Sequence, residues 1–454
     1  MKKTAACLVL FLHIFHCYPQ KPLPDNLFLK KLPNGLDVLV VEDNSVPLAT
    51  LEMAVRNGAY TESPEFNGLS HLYEHMFFKA NKKYSNQGEF LDRMQELGIS
   101  SNATTSDEMV NYYFTLPKYN LKPGLELMNS AVRYPAFNST EIEKENAVVD
   151  GEFQRHESNP IWQLNDAMNH HLWGESYSRK NVIGDHDIIR SATSGKMEEI
   201  RNRYYWPNNS LLIVAGDVVH DEVFQQVQKV FGDWKPSGFD PFEKYEVPEF
   251  KPLEKSDYFV VALSNVQQPV LLYSWQGPDT RRDTLNTYVA DIFSFILMQN
   301  SSKFHHALVE SGLALDFSAN YSTKKFTGPI TFFITPNPGK IKECVAAFSE
   351  QLRLLDSDDY FTAGQLAVSK KQYEIRSLRE EEVTTQFTHT LAYWFCSASI
   401  DYFNTYLDNL NKVGPEDIKN YVRKYIKGRP HCAGLLLNPS TRDNVSPETF
   451  FKPE

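Results

Sequence analysis

The sequence predicts an α+β chain made of two homologous α/β sandwich-type domains, the product of an internal duplication. Three observations predict it: a length of 454 residues, an order of β-like runs and helices that occurs twice, and a proline-bearing connector between the copies. A chain of that length exceeds one ordinary domain and suits two or three. Hydrophobic residues make up 42% and charged residues 23%, the balance of a globular protein with a large core. The formal charge is −11, and lysine and arginine do not cluster, which argues against a nucleic-acid partner.

The N-terminal segment differs from the rest. Met1-Lys2-Lys3 supplies a positive start, and residues 5–15 form an apolar run broken only by His13. A membrane-spanning helix needs roughly 20 apolar residues, so no transmembrane span is expected. The run has the character of a secretory signal, so residues 1–20 are expected to be a signal peptide and the protein to be exported, periplasmic or secreted. Cys17 could carry a lipid anchor, although Phe15 and His16 before it fit a lipoprotein box poorly.

The first copy is expected over 25–235. It opens with β-like runs at 36–41 and 49–55, the second ending at Gly58. A helix at 90–98 follows, closed by Gly98 as a C-terminal cap, and then a β-like run at 112–116. It ends with a helix at 197–205 and a run at 210–215. Residues 236–256, with Pro236, Pro241, Pro248 and Pro252, read as an extended linker. The second copy, 257–454, repeats the order: runs at 258–263 and 270–275, a helix at 304–312 ending in Gly312, and a helix at 415–425 before a run at 433–437. Outside the leader, the cysteines are Cys344, Cys396 and Cys432. No pair of them has metal-ligand spacing, and they read as buried small hydrophobes.

The chemistry is concentrated at His71-Leu-Tyr-Glu74-His75. Histidines four apart share one helix face, and two imidazoles so placed can bind one zinc ion. Ser70 is an acceptable N-cap for that helix. Glu74 stands beside the second histidine, where it can take a proton from an activated water. Two solvated histidines on a surface helix are the alternative. Against it, Leu69, Leu72, Met76, Phe77 and Phe78 make the helix mostly apolar, and polar groups in such a helix are expected to be paired or metal-bound. Catalytic zinc takes three protein ligands. The helical stretch 141–155 offers Glu145 and Glu152, which share a face with Val148 and Val149. Either both carboxylates point inward, one binding the metal and the other orienting a ligand, or the valines are only the edge of a core stripe and both glutamates are solvated.

These residues resemble the inverted-motif zinc peptidases of the pitrilysin and mitochondrial-processing-peptidase type. The likeness covers nearly the whole length beyond the leader. It is carried by Leu32-Pro-Asn-Gly-Leu36, by Gly68-Leu-Ser-His-Leu-Tyr-Glu-His-Met76, by Asn102-Ala103 and by Glu145-Asn-Ala-Val-Val-Asp-Gly-Glu152. Tyr205-Trp-Pro-Asn-Asn209, Val214-Ala-Gly-Asp217 and Gly277-Pro-Asp279 extend it. The resemblance implies a zinc metalloendopeptidase with one zinc per chain, held by His71, His75 and Glu152. Glu74 would be the base and Glu145 the carboxylate behind a ligand. It also implies half of a clamshell, in which two such chains, or one of double length, enclose a chamber. Peptides or small unfolded polypeptides would lie along an edge strand near Asn102 and Ala103.

One departure from the family stands out. A second-domain pattern that supplies Arg and Tyr to the scissile carbonyl in the family corresponds here to 308–315, which has neither. Nor does the second copy's equivalent helix, near 287–298, carry a histidine. The chain is therefore expected to be a metal-bearing subunit that works with a homologous partner supplying Arg and Tyr. Two alternatives remain: a non-catalytic binding or assembly subunit of the same fold, and an exported peptide-binding module. His170, His171, His305 and His306 lack a glutamate at useful spacing and are expected to be solvated or core residues.

Overall fold

The computed structural model describes residues 21–441 and 450–451; the expected signal segment 1–20, with Cys7 and Cys17, lies outside the described residues. Eleven strands form two mixed sheets among the described residues. The first contains β1 (Leu27–Lys31), β2 (Asp37–Glu42), β3 (Leu48–Val55), β4 (Ser100–Thr105), β5 (Val110–Pro117) and β6 (Ser210–Gly216), in the order β1-β2-β6-β3-β5-β4. The second contains β7 (Asp257–Ala262), β8 (Val270–Gln276), β9 (Ala314–Tyr321), β10 (Pro329–Pro336) and β11 (Cys432–Leu437), in the order β7-β11-β8-β10-β9. Without β1 the two orders are the same, and each sheet has one parallel pair at the same place, β2 with β6 and β7 with β11. This shared topology is that of two α+β domains built on one plan.

The helices repeat as well. In the first half they are α1 (Leu69–Met76), α2 (Gln87–Glu96), α3 (Leu121–Arg133), α4 (Ser139–Glu157), α5 (Pro160–Trp173), α6 (His186–Arg190), α7 (Ser194–Tyr204) and α8 (His220–Phe231). Then come α9 (Pro241–Lys244), α10 (Thr284–Met298), α11 (Lys303–His305), α12 (Ile341–Leu354), α13 (Ala363–Glu381), α14 (Thr384–Ser397), α15 (Ile400–Lys412) and α16 (Pro415–Tyr425). The pair α4 and α5, of 19 and 14 residues, is matched by α13 and α14, of 19 and 14 residues.

Strand alternation sends successive side chains to opposite faces, and both faces of each sheet are apolar. Val38 and Val40 of β2 point into one core and Leu39 and Val41 into another. The inner face of the first sheet is covered by its own helices. Its outer face is covered by α14 from the second half, through Phe387, Leu391 and Phe395. The favour is returned: α5 of the first half lays Leu164, Met168 and Leu172 on the outer face of the second sheet, against Leu272, Cys432 and Leu436. Each half therefore lends one helix to the other, which locks the halves together through two apolar seams.

Several local expectations change. The helix expected at 304–312 is α for one turn only and continues as a π-turn over His306–Glu310, still ending at Gly312 with φ 72°. The stretch 236–256 is not simply extended. It contains α9 and is pinned by Phe242 and Tyr245 against the first core and by Val247 and Phe250 in the seam under α5. Cys344, Cys396 and Cys432 are buried and free. No helix among the described residues is long and apolar enough to cross a membrane.

Candidate metal centre

The helix α1 carries His71, Glu74 and His75, while Leu69, Leu72 and Met76 anchor its other side in the core. Ser70 is not its N-cap. Gly68 takes that place in the left-handed region, φ 87°, and Ser70 lies one step inside the helix, buried. The capping acceptor comes from a distance: Glu62 takes the Gly68 N–H at 2.7 Å and the Ser70 N–H at 2.6 Å. Two free N–H groups at a helix start need acceptors, and the two oxygens of the buried Glu62 carboxyl supply them. Glycine is required at Gly68 for a second reason. A Cβ there would fall 2.5 Å from the Cα of Gly184, which also has a positive φ, so the two backbones pass in contact.

Across from α1 runs α4. Glu145, Val149 and Glu152 of α4 turn towards α1 or the core, Glu145 being 6% and Val149 0% exposed. Val148 does not join them. It is 50% exposed, because it lies about 60° round the helix from Glu145, on the side away from Val149, and beyond the contact stripe.

The ligand atoms converge. His71 Nε2 and His75 Nε2 are 3.2 Å apart, and Glu152 Oε2 is 3.7 Å from the first and 3.8 Å from the second. Zinc bonds to nitrogen and oxygen of about 2.0–2.1 Å in a tetrahedron require ligand–ligand separations of about 3.3–3.4 Å, close to all three distances. No other group of three histidine, cysteine or carboxylate side chains among the described residues is so placed. Burial, then the neighbouring His75 and His156, push His71 down to about 3, which keeps it a neutral imidazole able to donate a lone pair. Two such nitrogens in contact want a cation between them. The donor set therefore fits zinc.

Behind the ligands, Glu145 Oε1 meets His75 Nδ1 at 2.8 Å and Glu145 Oε2 meets Lys79 Nζ at 2.6 Å. Burial opposes charge on His75, but the hydrogen bond to Glu145 and the negative charges of Glu74, Glu152 and Glu145 outweigh it and raise its pKa. Burial likewise pushes Glu145 up, and the bonds from His75 and Lys79 more than reverse this, so it stays ionised. Glu145 thus fixes the His75 ring with Nε2 facing the centre. Glu74 is buried, and burial raises its carboxyl pKa, opposed mainly by a hydrogen bond from Thr105 Oγ1 to Glu74 Oε2 at 2.8 Å.

These groups line a cavity of about 860 Å³ whose opposite wall is β4, with Asn102 and Ala103 on it. β4 is an edge: it pairs with β5 on one side only. The histidines set aside from the sequence stay outside this cluster. His171 bonds Asp257 at 2.6 Å and stacks on Phe259, His170 stacks on Tyr177, and His306 bonds Glu310. Glu62, Lys79 and Thr105 were not singled out by the sequence. Thr105 alone had a readable signal, since strand alternation puts it on the face of Ala103.

Residues 37–184 match the insulinase (peptidase family M16) domain, and residues 191–373 match the peptidase M16 inactive domain. The chain belongs to peptidase family M16. It is 24% identical over 346 residues to the uncharacterized zinc protease YmxG of Bacillus subtilis (strain 168), covering 75% of this chain and 80% of that protein. Its fold superposes on a crystal structure of a protease from Helicobacter pylori with a TM-score of 0.79 at 21% identity, covering 90% of this chain and 99% of the other. The periplasmic protease PqqL from Escherichia coli gives a TM-score of 0.76 at 16% identity, covering 96% of this chain and 51% of PqqL, about half of its length.

Two outcomes follow. Glu145→Gln should lower zinc affinity about 10- to 100-fold by releasing the His75 ring, as read by competition with a chromogenic chelator. Burial pushes Glu62 up to about 8 from an ordinary 4.5, against the pull of the Ser70 and Gly68 N–H groups. The folded state then holds this proton to higher pH than the unfolded chain. Its stabilising contribution is complete below 4.5 and is lost as pH rises towards 8. Denaturation midpoints across that window should fall with pH, and Glu62→Gln should flatten the slope.

Proposed function

We propose that this chain is the metal-bearing subunit of a zinc endopeptidase that hydrolyses peptides or small unfolded polypeptides. The observation that carries the reading is the meeting of His71, His75 and Glu152 beside Glu74, at the floor of a cavity walled by an edge strand. His71, His75 and Glu152 would hold one zinc ion, with Glu145 orienting His75. Zinc held there would act as a Lewis acid and bring water's pKa towards neutrality.

The remaining steps belong to the protein. A peptide enters extended and pairs with β4 by strand addition, with Asn102 and Ala103 in contact with it. Pairing sets the backbone, so that one scissile carbonyl faces Glu74. Glu74, partly desolvated and therefore a stronger base than an exposed glutamate, takes the proton of the attacking water and delivers it to the departing amine.

A homologous partner chain belongs to this reading. The family's Arg and Tyr are missing from 308–315, and PqqL holds two halves in one polypeptide, of which this chain matches the length of one. Export is part of it too, given the signal-like composition of 5–15 and the periplasmic description of PqqL.

The test is Glu74→Gln. Zinc content should remain at one per chain while hydrolysis of a quenched peptide by the assembled enzyme falls about 10²- to 10⁴-fold. A wild-type protein that binds zinc and its partner yet cleaves nothing would contradict the assignment and favour a scaffold.

A further inference from the structure

The carboxylate of Glu74 is held from outside its own helix. Thr105 Oγ1 donates to Glu74 Oε2 at 2.8 Å. Thr105 is the last residue of β4. Along that strand Asn102 and Thr104 are exposed, whereas Ala103 is buried and Thr105 half-buried, so the strand's two faces separate cleanly. Thr105 therefore reaches the base from the face that packs on α1.

The turn that follows Thr105 is held by Lys180 of its own domain and by three residues of the second domain. Asp107 Oδ1 accepts Lys324 Nζ at 2.8 Å, and Asp107 Oδ2 accepts Lys180 Nζ at 3.2 Å. The Glu108 carboxylate, 1% exposed, takes the backbone N–H of Lys325 at 2.7 Å and of Phe326 at 2.8 Å. Lys324, Lys325 and Phe326 all lie between β9 and β10. Within the turn, Ser106 N–H donates to Met109 O at 2.8 Å. These charges are withdrawn from water, where a pair is strong only in a narrow geometry and a lost partner is costly. The tip of the first domain's edge hairpin is thus fixed onto the tip of the second domain's edge hairpin.

We propose that Thr105 is a positioning residue for Glu74, and that the second domain sets Thr105 in place through its hold on the turn 106–109. The inference rests on the reading of Glu74 as the proton acceptor. It gives the domain without metal ligands a part in the reaction. The route runs from Lys324 and the N–H groups of Lys325 and Phe326, through Asp107 and Glu108, to Thr105 and then to the base. It also joins docking to catalysis, because the strand a peptide would pair with is the strand that holds the base.

Four variants of the full chain, in the assembly that turns over peptide, test it: Thr105→Val, Thr105→Ser, Lys324→Gln and the Thr105→Val/Lys324→Gln double. Removing a hydrogen bond to a charged group should cost Thr105→Val about 10- to 100-fold in kcat, with KM within about twofold. Zinc content and zinc affinity should match wild type. Thr105→Ser should restore most of kcat. Lys324→Gln should lower kcat in the same direction, and the double variant should be no slower than Thr105→Val, the non-additivity expected of one connected route.

Wild-type kcat in Thr105→Val overturns the proposal. So does a loss that appears in KM or in zinc binding, or a serine variant no better than valine. An additive double variant overturns the interdomain route. If Lys324→Gln fails to fold, the valine and serine pair still decides the role of Thr105. A wild-type enzyme with no peptidase activity contradicts the reading of Glu74 itself, and that outcome is told apart because no variant is needed to see it.

Discussion

The face-to-face contact of α1 and α4 is the constraint on which the rest depends. It brings two imidazoles and two carboxylates, Glu145 and Glu152, out of bulk water into one small volume. Bare, such a cluster is costly: burial denies His71 a charge, and the negative charge of Glu152 opposes ionisation of Glu74. A divalent cation removes both difficulties. Two arrangements keep α1 in place for it. Glu62 caps its first turn from below, and the crossing of Gly68 with Gly184 sets its approach to the loop before α6. Lys79, on the far side of Glu145, balances the charge of the carboxylate that orients His75.

The larger architecture serves the same few atoms. A sheet with two apolar faces needs cover on both, and here the cover for each outer face comes from the other half, by α5 and α14. That exchange packs the two halves on each other through two apolar seams. It places the β9–β10 turn where it can meet the β4–β5 turn, so the edge strand beside His71, His75 and Glu152 is braced from the second domain.

Much of this was legible in the sequence, for a physical reason. Helical spacing placed His71 with His75 on one face and Glu145 with Glu152 on another, and the structure brings these side chains together. The choice of Glu152 over Glu145 beside the histidine pair came from the family resemblance, and the duplication from repeated runs of apolar residues. Contacts between segments far apart leave no such spacing. Glu62 caps α1 from outside the N-cap position, through the loop that precedes the helix, and Ser70 carried the more familiar signal for that role. Val148 shared a stripe with Glu145 on paper but lies past the edge of the real contact. The swap of α5 and α14 was invisible because an amphipathic helix does not record which sheet it covers. Thr105 fell between, visible by strand alternation only once the edge strand is known to face Glu74.

The central claim is that His71, His75 and Glu152 jointly hold a zinc ion. Diffraction data collected on both sides of the zinc absorption edge, from crystals grown with one equivalent of zinc, test it directly. The account predicts one anomalous peak within about 2.0–2.2 Å of His71 Nε2, His75 Nε2 and a Glu152 oxygen, with Glu145 still on His75 Nδ1. No peak between these three side chains, or a peak elsewhere on the chain, would contradict it.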